Sequence, residues 1–109
     1  MKDIIDLHGA SGAKYRFRLW PPGAGHLPMG GNYAFVREEP GGFTMLAAAA
    51  VDDLSLTRST HGAAASARGA THLFTRLNVS RAVRTFEAED VAAYYNLGAD
   101  QAQSAERGA

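Results

Sequence analysis

The chain has 109 residues, a formal net charge of zero, 46% apolar and 20% charged residues, and no cysteine. This composition suits one globular domain with a single modest core. It excludes disulfides and thiolate metal sites, and it leaves no global field to draw the protein onto nucleic acid or an anionic membrane.

The N-terminal stretch MKDIIDLHGASG has acids inside its short apolar run, so it does not read as a signal peptide. No apolar run approaches the roughly 20 residues of a membrane helix, so no membrane insertion is expected. The composition, rich in Ala, Gly and Arg, reads as bacterial-looking and cytoplasmic.

Residues 1–12 form a short lead segment ending in Gly9 and Gly12. Residues 13–20, AKYRFRLW, alternate strictly, with Lys14, Arg16 and Arg18 on one face and Tyr15, Phe17 and Leu19 on the other. That period predicts a strand. Residues 21–31 are a proline- and glycine-rich loop. Strands are predicted over 32–38 and 43–50, joined by the turn EPGG into a hairpin. The second of them runs through Ala47, Ala48, Ala49 and Ala50, although alanine is a weak strand former.

Asp52 or Asp53 is placed to cap a helix over 53–60. Residues 61–70 are small and Ala-rich, a short helix or a loop. Residues 71–78 alternate Leu73, Thr75 and Leu77 against His72, Phe74 and Arg76, a further strand. Ser80 is the N-cap of the strongest predicted helix, 81–95. Its residues Val83, Phe86, Val91 and Tyr94 recur near helical spacing, and Val83, Phe86 and Val91 are expected to bury against Tyr33, Phe35 and Leu46. The element order predicts an α+β domain in which a small mixed or antiparallel sheet is flanked by helices.

Several of these stretches resemble one family. A glycine-led hairpin strand at Gly31-Asn32-Tyr33 is followed by an apolar strand running into Asp52-Asp53-Leu54. His61 lies seven residues beyond that leucine. Gly69-Ala70-Thr71-His72-Leu73 comes next, and the last helix ends Tyr94-Tyr95-Asn96. The order and spacing resemble the GIY-YIG domain, best known from nucleases, over roughly residues 30–97. Residues 1–29 would then be an N-terminal extension carrying an extra strand and a proline-rich loop, and residues 98–109 a polar C-terminal tail.

The resemblance implies an ancestral phosphodiester cleavage, with one divalent metal held by a glutamate on the last helix. Tyrosines from the two hairpin strands and an arginine on the following helix would act on water and phosphate. It retains the first tyrosine at Tyr33 and places a histidine at His61. The second tyrosine and its glycine fall on Ala47 and Ala49, the arginine on Thr57, and the glutamate on Ala88. Arg58 adjoins Thr57, and Glu87 and Glu89 flank Ala88. One helical step turns a side chain by about 100°, onto another face. With tyrosine, arginine and glutamate all replaced by small neutral residues, the resemblance implies a fold that has outlived its catalysis. No catalytic residue, metal or cofactor is expected, and Tyr33, Arg58, His61 and Glu87 remain as relict candidates.

Three functional readings follow. The first is an inactive, GIY-YIG-like accessory subunit that meets a protein partner or a second copy of itself through Tyr15, Phe17, Leu19 and Trp20. That reading sets residues 13–20 at a sheet edge, where unpaired backbone groups invite another chain. The second is a nucleic-acid-binding module using Lys14, Arg16, Arg18, Arg76, Arg81 and Arg84. The third is a metal-dependent endonuclease with Tyr33, Arg58, His61 and Glu87 in displaced roles. His8, His26 and His72 show no metal-ligand spacing with His61.

Overall fold

The computed structural model describes residues 1–98. They form an α+β domain built on one antiparallel five-stranded sheet in the order β1-β2-β5-β3-β4. Its strands are β1 (Ile4–His8), β2 (Lys14–Leu19), β3 (Gly31–Glu39), β4 (Gly42–Val51) and β5 (His72–Leu77). A 3₁₀ turn (Leu54–Leu56) leads into helix α1 (Thr57–Ala67), and helix α2 (Arg81–Tyr94) follows β5.

The strand at Ile4–His8 is an addition to the expected elements. It pairs with β2 from Ile4 opposite Arg18 to His8 opposite Lys14. The connection is closed by Gly9 N–H donating to Ala13 O at 2.8 Å, and Gly12 takes φ +94°, a conformation that glycine adopts at little cost. The second hairpin turns through Pro40-Gly41. Proline fixes a negative φ, and Gly41 supplies φ +82°, the pairing a tight turn requires.

The expected strands at 32–38, 43–50 and 71–78 are present as β3, β4 and β5. β3 lies between β4 and β5, and its residues Gly31 to Val36 are buried. Leu46 is a bulge, because Phe35 opposes Ala47 whereas Val36 opposes Met45. The bulge shifts the pleat by one residue and leaves the Leu46 carbonyl for another partner. Arg68 Nη2 donates to it at 3.0 Å.

Directly opposed residues of antiparallel strands share a face, so the sheet divides the core into two layers. One layer holds Leu7, Tyr15, Phe17, Ala34, Val36, Ala48 and Phe74, together with Val91 of α2. The other holds Trp20, Tyr33, Phe35, Ala47, Ala49 and Leu54, together with Ala65 of α1. The alanine run thus serves both layers. Ala47, Ala48, Ala49 and Ala50 are all buried, and their small side chains let helices approach β4 closely from both sides. Packing at this density outweighs alanine's weak strand preference.

The helix ends follow sequence rules. Asp53 accepts from Ser55 N–H at 2.9 Å and caps the 3₁₀ turn. The helix expected over 53–60 and the ambiguous stretch after it form one run, with α1 continuing to Ala67. Ser80 caps α2 by accepting from Val83 N–H, as predicted. At the far end Asn96 takes φ +56° and Leu97 N–H donates to Ala92 O at 2.9 Å. That is the left-handed cap that asparagine tolerates.

Two expectations are corrected. The outward face of α2 is the one predicted to be buried: Val83 is 47% exposed, Phe86 58% and Tyr94 49%. Val91 is buried, but against Ala34 and Ala48 rather than Tyr33 and Phe35. The inward face instead carries Arg84, Ala88, Asp90, Val91 and Ala92. Secondly, β2 is not an edge strand, since β1 flanks it on one side and β5 on the other. Tyr15, Phe17 and Trp20 are buried in the chain's own core. The expected tail beyond Gly98 lies outside the described residues.

Candidate functional site

The relict candidates are split between the two layers. Tyr33 stacks on His61 with ring centroids 5.6 Å apart. Arg58 sits beside them on α1, with its guanidinium 4.7 Å from the Trp20 ring centroid and Nη2 donating to Trp20 O at 2.6 Å. Glu87 lies on α2, which packs into the opposite layer. There it accepts from Arg76 Nε at 2.8 Å and from Asn78 Nδ2 at 3.0 Å. Asn78 also donates to Asn32 Oδ1 at 3.1 Å, and Asn32 Nδ2 donates to Arg84 O at 2.8 Å.

The substituted positions are close-packed. Ala47 and Ala88 are buried, and Thr57 is only 2% exposed. Thr57 Oγ1 is buried without a hydrogen-bond partner among the described residues. Burial also holds the His61 imidazole below its ordinary pKa, which favours its neutral form. No group of three His, Asp or Glu side chains gathers as a metal cluster among the described residues.

The six basic candidates divide in a similar way. Lys14, Arg16 and Arg18 are exposed on β2. Arg18 opposes Thr75 on β5, so the stripe lies on the sheet face that also bears Tyr33. Arg76 points to the other face, toward Glu87 and 5.5 Å from the Tyr15 ring centroid. Arg84 is buried, pairs with Asp52 and donates to Val79 O at 2.9 Å. Arg81 lies 4.0 Å from the same aspartate. Arg76 and Arg84 are therefore held in local ion pairs, whereas the Arg81 side chain, 69% exposed, stays as solvated as Lys14, Arg16 and Arg18.

Beside that stripe the loop after β2 folds over β5 and encloses a groove of about 520 Å³. His26 fixes the loop: its Nδ1 lies 2.9 Å from Leu27 O and its Nε2 lies 2.7 Å from Thr75 Oγ1. A carbonyl can only accept, so Nδ1 carries a proton and donates to Leu27 O. Trp20 Nε1 donates to Ala24 O at 2.7 Å, and the His26 and Trp20 rings lie 4.8 Å apart.

Comparison with family models, curated proteins and solved structures finds no match. Among the described residues, no helix is long and apolar enough to cross a membrane.

Sequence reasoning missed a second polar centre, at Asp90. Its carboxylate accepts from Ser11 N–H at 2.8 Å, Ser11 Oγ at 2.6 Å and the Tyr15 hydroxyl at 2.7 Å. These donors, Ser11 Oγ foremost, hold Asp90 below the usual carboxylate range. Burial first, and the bond to Asp90 second, push Tyr15 up to about 12. The glycine at position 9 was the available signal. A Cβ there would collide with the Asp90 carboxylate, so only glycine lets the turn close on α2.

Proposed function

We propose that this chain is a GIY-YIG-like domain that has lost cleavage and works by binding, as an accessory subunit of a larger assembly. The observation that carries this reading is the separation of the relict side chains. Tyr33, Arg58 and His61 occupy one layer, and Glu87 occupies the other. Phosphodiester cleavage needs a metal, a nucleophile and a cationic clamp around one reacting phosphorus. Glu87 is instead engaged by Arg76 and Asn78, and Arg58 by Trp20. The exposed apolar row of Val79, Val83 and Phe86 supports a role in contact rather than turnover.

The test is incubation with supercoiled plasmid, single-stranded DNA and RNA in Mg²⁺ and in Mn²⁺. No cleavage above a vector-only control is expected. Metal-dependent turnover that Glu87→Ala abolishes would replace this reading with a displaced-residue nuclease. A stoichiometric complex on purification from the native cell would support the accessory role.

A second reading, nucleic-acid binding without cleavage, is favoured by one observation. Lys14, Arg16 and Arg18 line a single exposed strand face. An electrophoretic shift that weakens steeply with salt, and that is lost in the triple Gln variant, would support it.

A further inference from the structure

We propose that the groove between the loop after β2 and the β2–β5 pair binds a small amphipathic anion, an apolar or aromatic body carrying one carboxylate or phosphate. Its volume of about 520 Å³ falls in the range of roughly 300–1,000 Å³ typical of small-molecule pockets. Trp20, Pro21, Leu27 and Leu77 supply apolar lining, and Arg16 and Arg18 supply guanidiniums. Leu27 and Leu77 are about half exposed, at 55% and 50%.

The two cations are available. The Arg18 side chain makes no hydrogen bond or ion pair among the described residues. The Arg16 guanidinium has a long contact of 3.6 Å to Asp6, and both side chains are well solvated. Such a surface pair contributes little and is readily exchanged for a better partner. A guanidinium presents parallel donors that match a carboxylate or a phosphate, which sets the sign and shape of the ligand's head group. Arg76 also borders the groove, but its guanidinium turns to the other face of the sheet, where Glu87 holds it.

The wall is formed in advance. Trp20 N–H donates to Leu73 O at 2.9 Å, and His26 ties the loop to Thr75. Binding therefore requires little ordering of the loop, which favours affinity. A nucleic-acid strand would draw on the basic stripe but would have no need of the apolar walls. The combination of walls and cations singles out the smaller ligand.

Trp20 is the chain's single tryptophan and lines the groove, so its emission reports occupancy. Octanoate and phenyl phosphate would be titrated as the two head-group chemistries, with octanol and phenol as neutral counterparts. A saturable emission change with at least one anion is expected, with its neutral counterpart binding at least about tenfold more weakly, the loss of a charge-assisted contact. Arg18→Gln and Leu77→Asn, both at exposed positions and first confirmed folded by circular dichroism, should each weaken the anion by a similar factor. Absence of saturation with either anion, equal binding of the neutral compounds, or unchanged affinity in Arg18→Gln would overturn the proposal. So would a response confined to oligo-dT that Leu77→Asn leaves intact, which would assign the face to a nucleic-acid strand.

Discussion

The Tyr15 hydroxyl donates to the Asp90 carboxylate at 2.7 Å, joining β2 to α2 beneath the turn that links β1 and β2. Ala10 N–H adds a bond of 3.0 Å to the Asp90 carbonyl. These contacts tie the N-terminal hairpin into the same core as the rest of the chain.

This pair predicts a two-sided pH dependence. Asp90 holds its proton less tightly in the folded state than in the unfolded chain. Its stabilising contribution is complete above the ordinary carboxylate value of about 4 and disappears as pH falls through the lower folded value. Tyr15 holds its proton more tightly when folded. Its contribution is complete below the ordinary value of about 10 and is lost as pH rises toward about 12. Urea midpoints measured against pH should fall at both ends, and Tyr15→Phe should flatten the alkaline limb. An unchanged alkaline slope in that variant would contradict the assignment.

The two phenylalanines Phe74 and Phe86 should behave oppositely. Phe74 is 0% exposed, and Phe74→Ala should cost roughly 3–5 kcal/mol. Phe86 projects outward from α2, and Phe86→Ser should change stability by no more than about 0.5 kcal/mol. Thermal melts of the two variants decide this. A large loss for Phe86→Ser would restore the inward orientation that the sequence suggested.

Thr57→Val should raise stability. The Thr57 hydroxyl is buried with no partner among the described residues, so removing it relieves the desolvation cost of an unpaired polar group, about 1–3 kcal/mol. A lower melting temperature for Thr57→Val would show that the hydroxyl has a partner.

Gly31→Ala should destabilise strongly. The added methyl would overlap the Arg76 carbonyl and lie 2.6 Å from Leu54 Cδ1. Overpacking of this kind costs about 1–3 kcal/mol, and here one of the obstructing groups is backbone. Chemical denaturation would measure it, and a neutral outcome would mean that β3 and β5 can separate locally.

Much of this fold is legible in the residues themselves. The alternation of Lys14 to Leu19, the Pro40-Gly41 turn and the Ser80 cap are local signals, and each marks the expected element. β1 is less legible because Ile4-Ile5-Asp6-Leu7-His8 does not alternate cleanly and becomes a strand by pairing with β2. The buried face of α2 is hard to read for a related reason. At 100° per residue, Val91 lies roughly 140° around the helix from Phe86, so the two do not share a narrow stripe. Arg84 and Asp90 then turn inward because Asp52, Ser11 and Tyr15 satisfy them. A polar residue buried through distant partners carries no periodic signature. The groove is hidden in the same way, since it exists only once the proline-rich loop is tied to Thr75.

The function proposed above makes Glu87 a structural residue rather than a metal ligand. The most direct test is a Mn²⁺ titration followed by amide NMR on wild type and Glu87→Gln. The account predicts no saturable relaxation enhancement centred on Glu87, and a lower melting temperature for Glu87→Gln through its lost pair with Arg76. Saturable enhancement at Glu87, Asn78 and Arg76 that disappears in Glu87→Gln would contradict it.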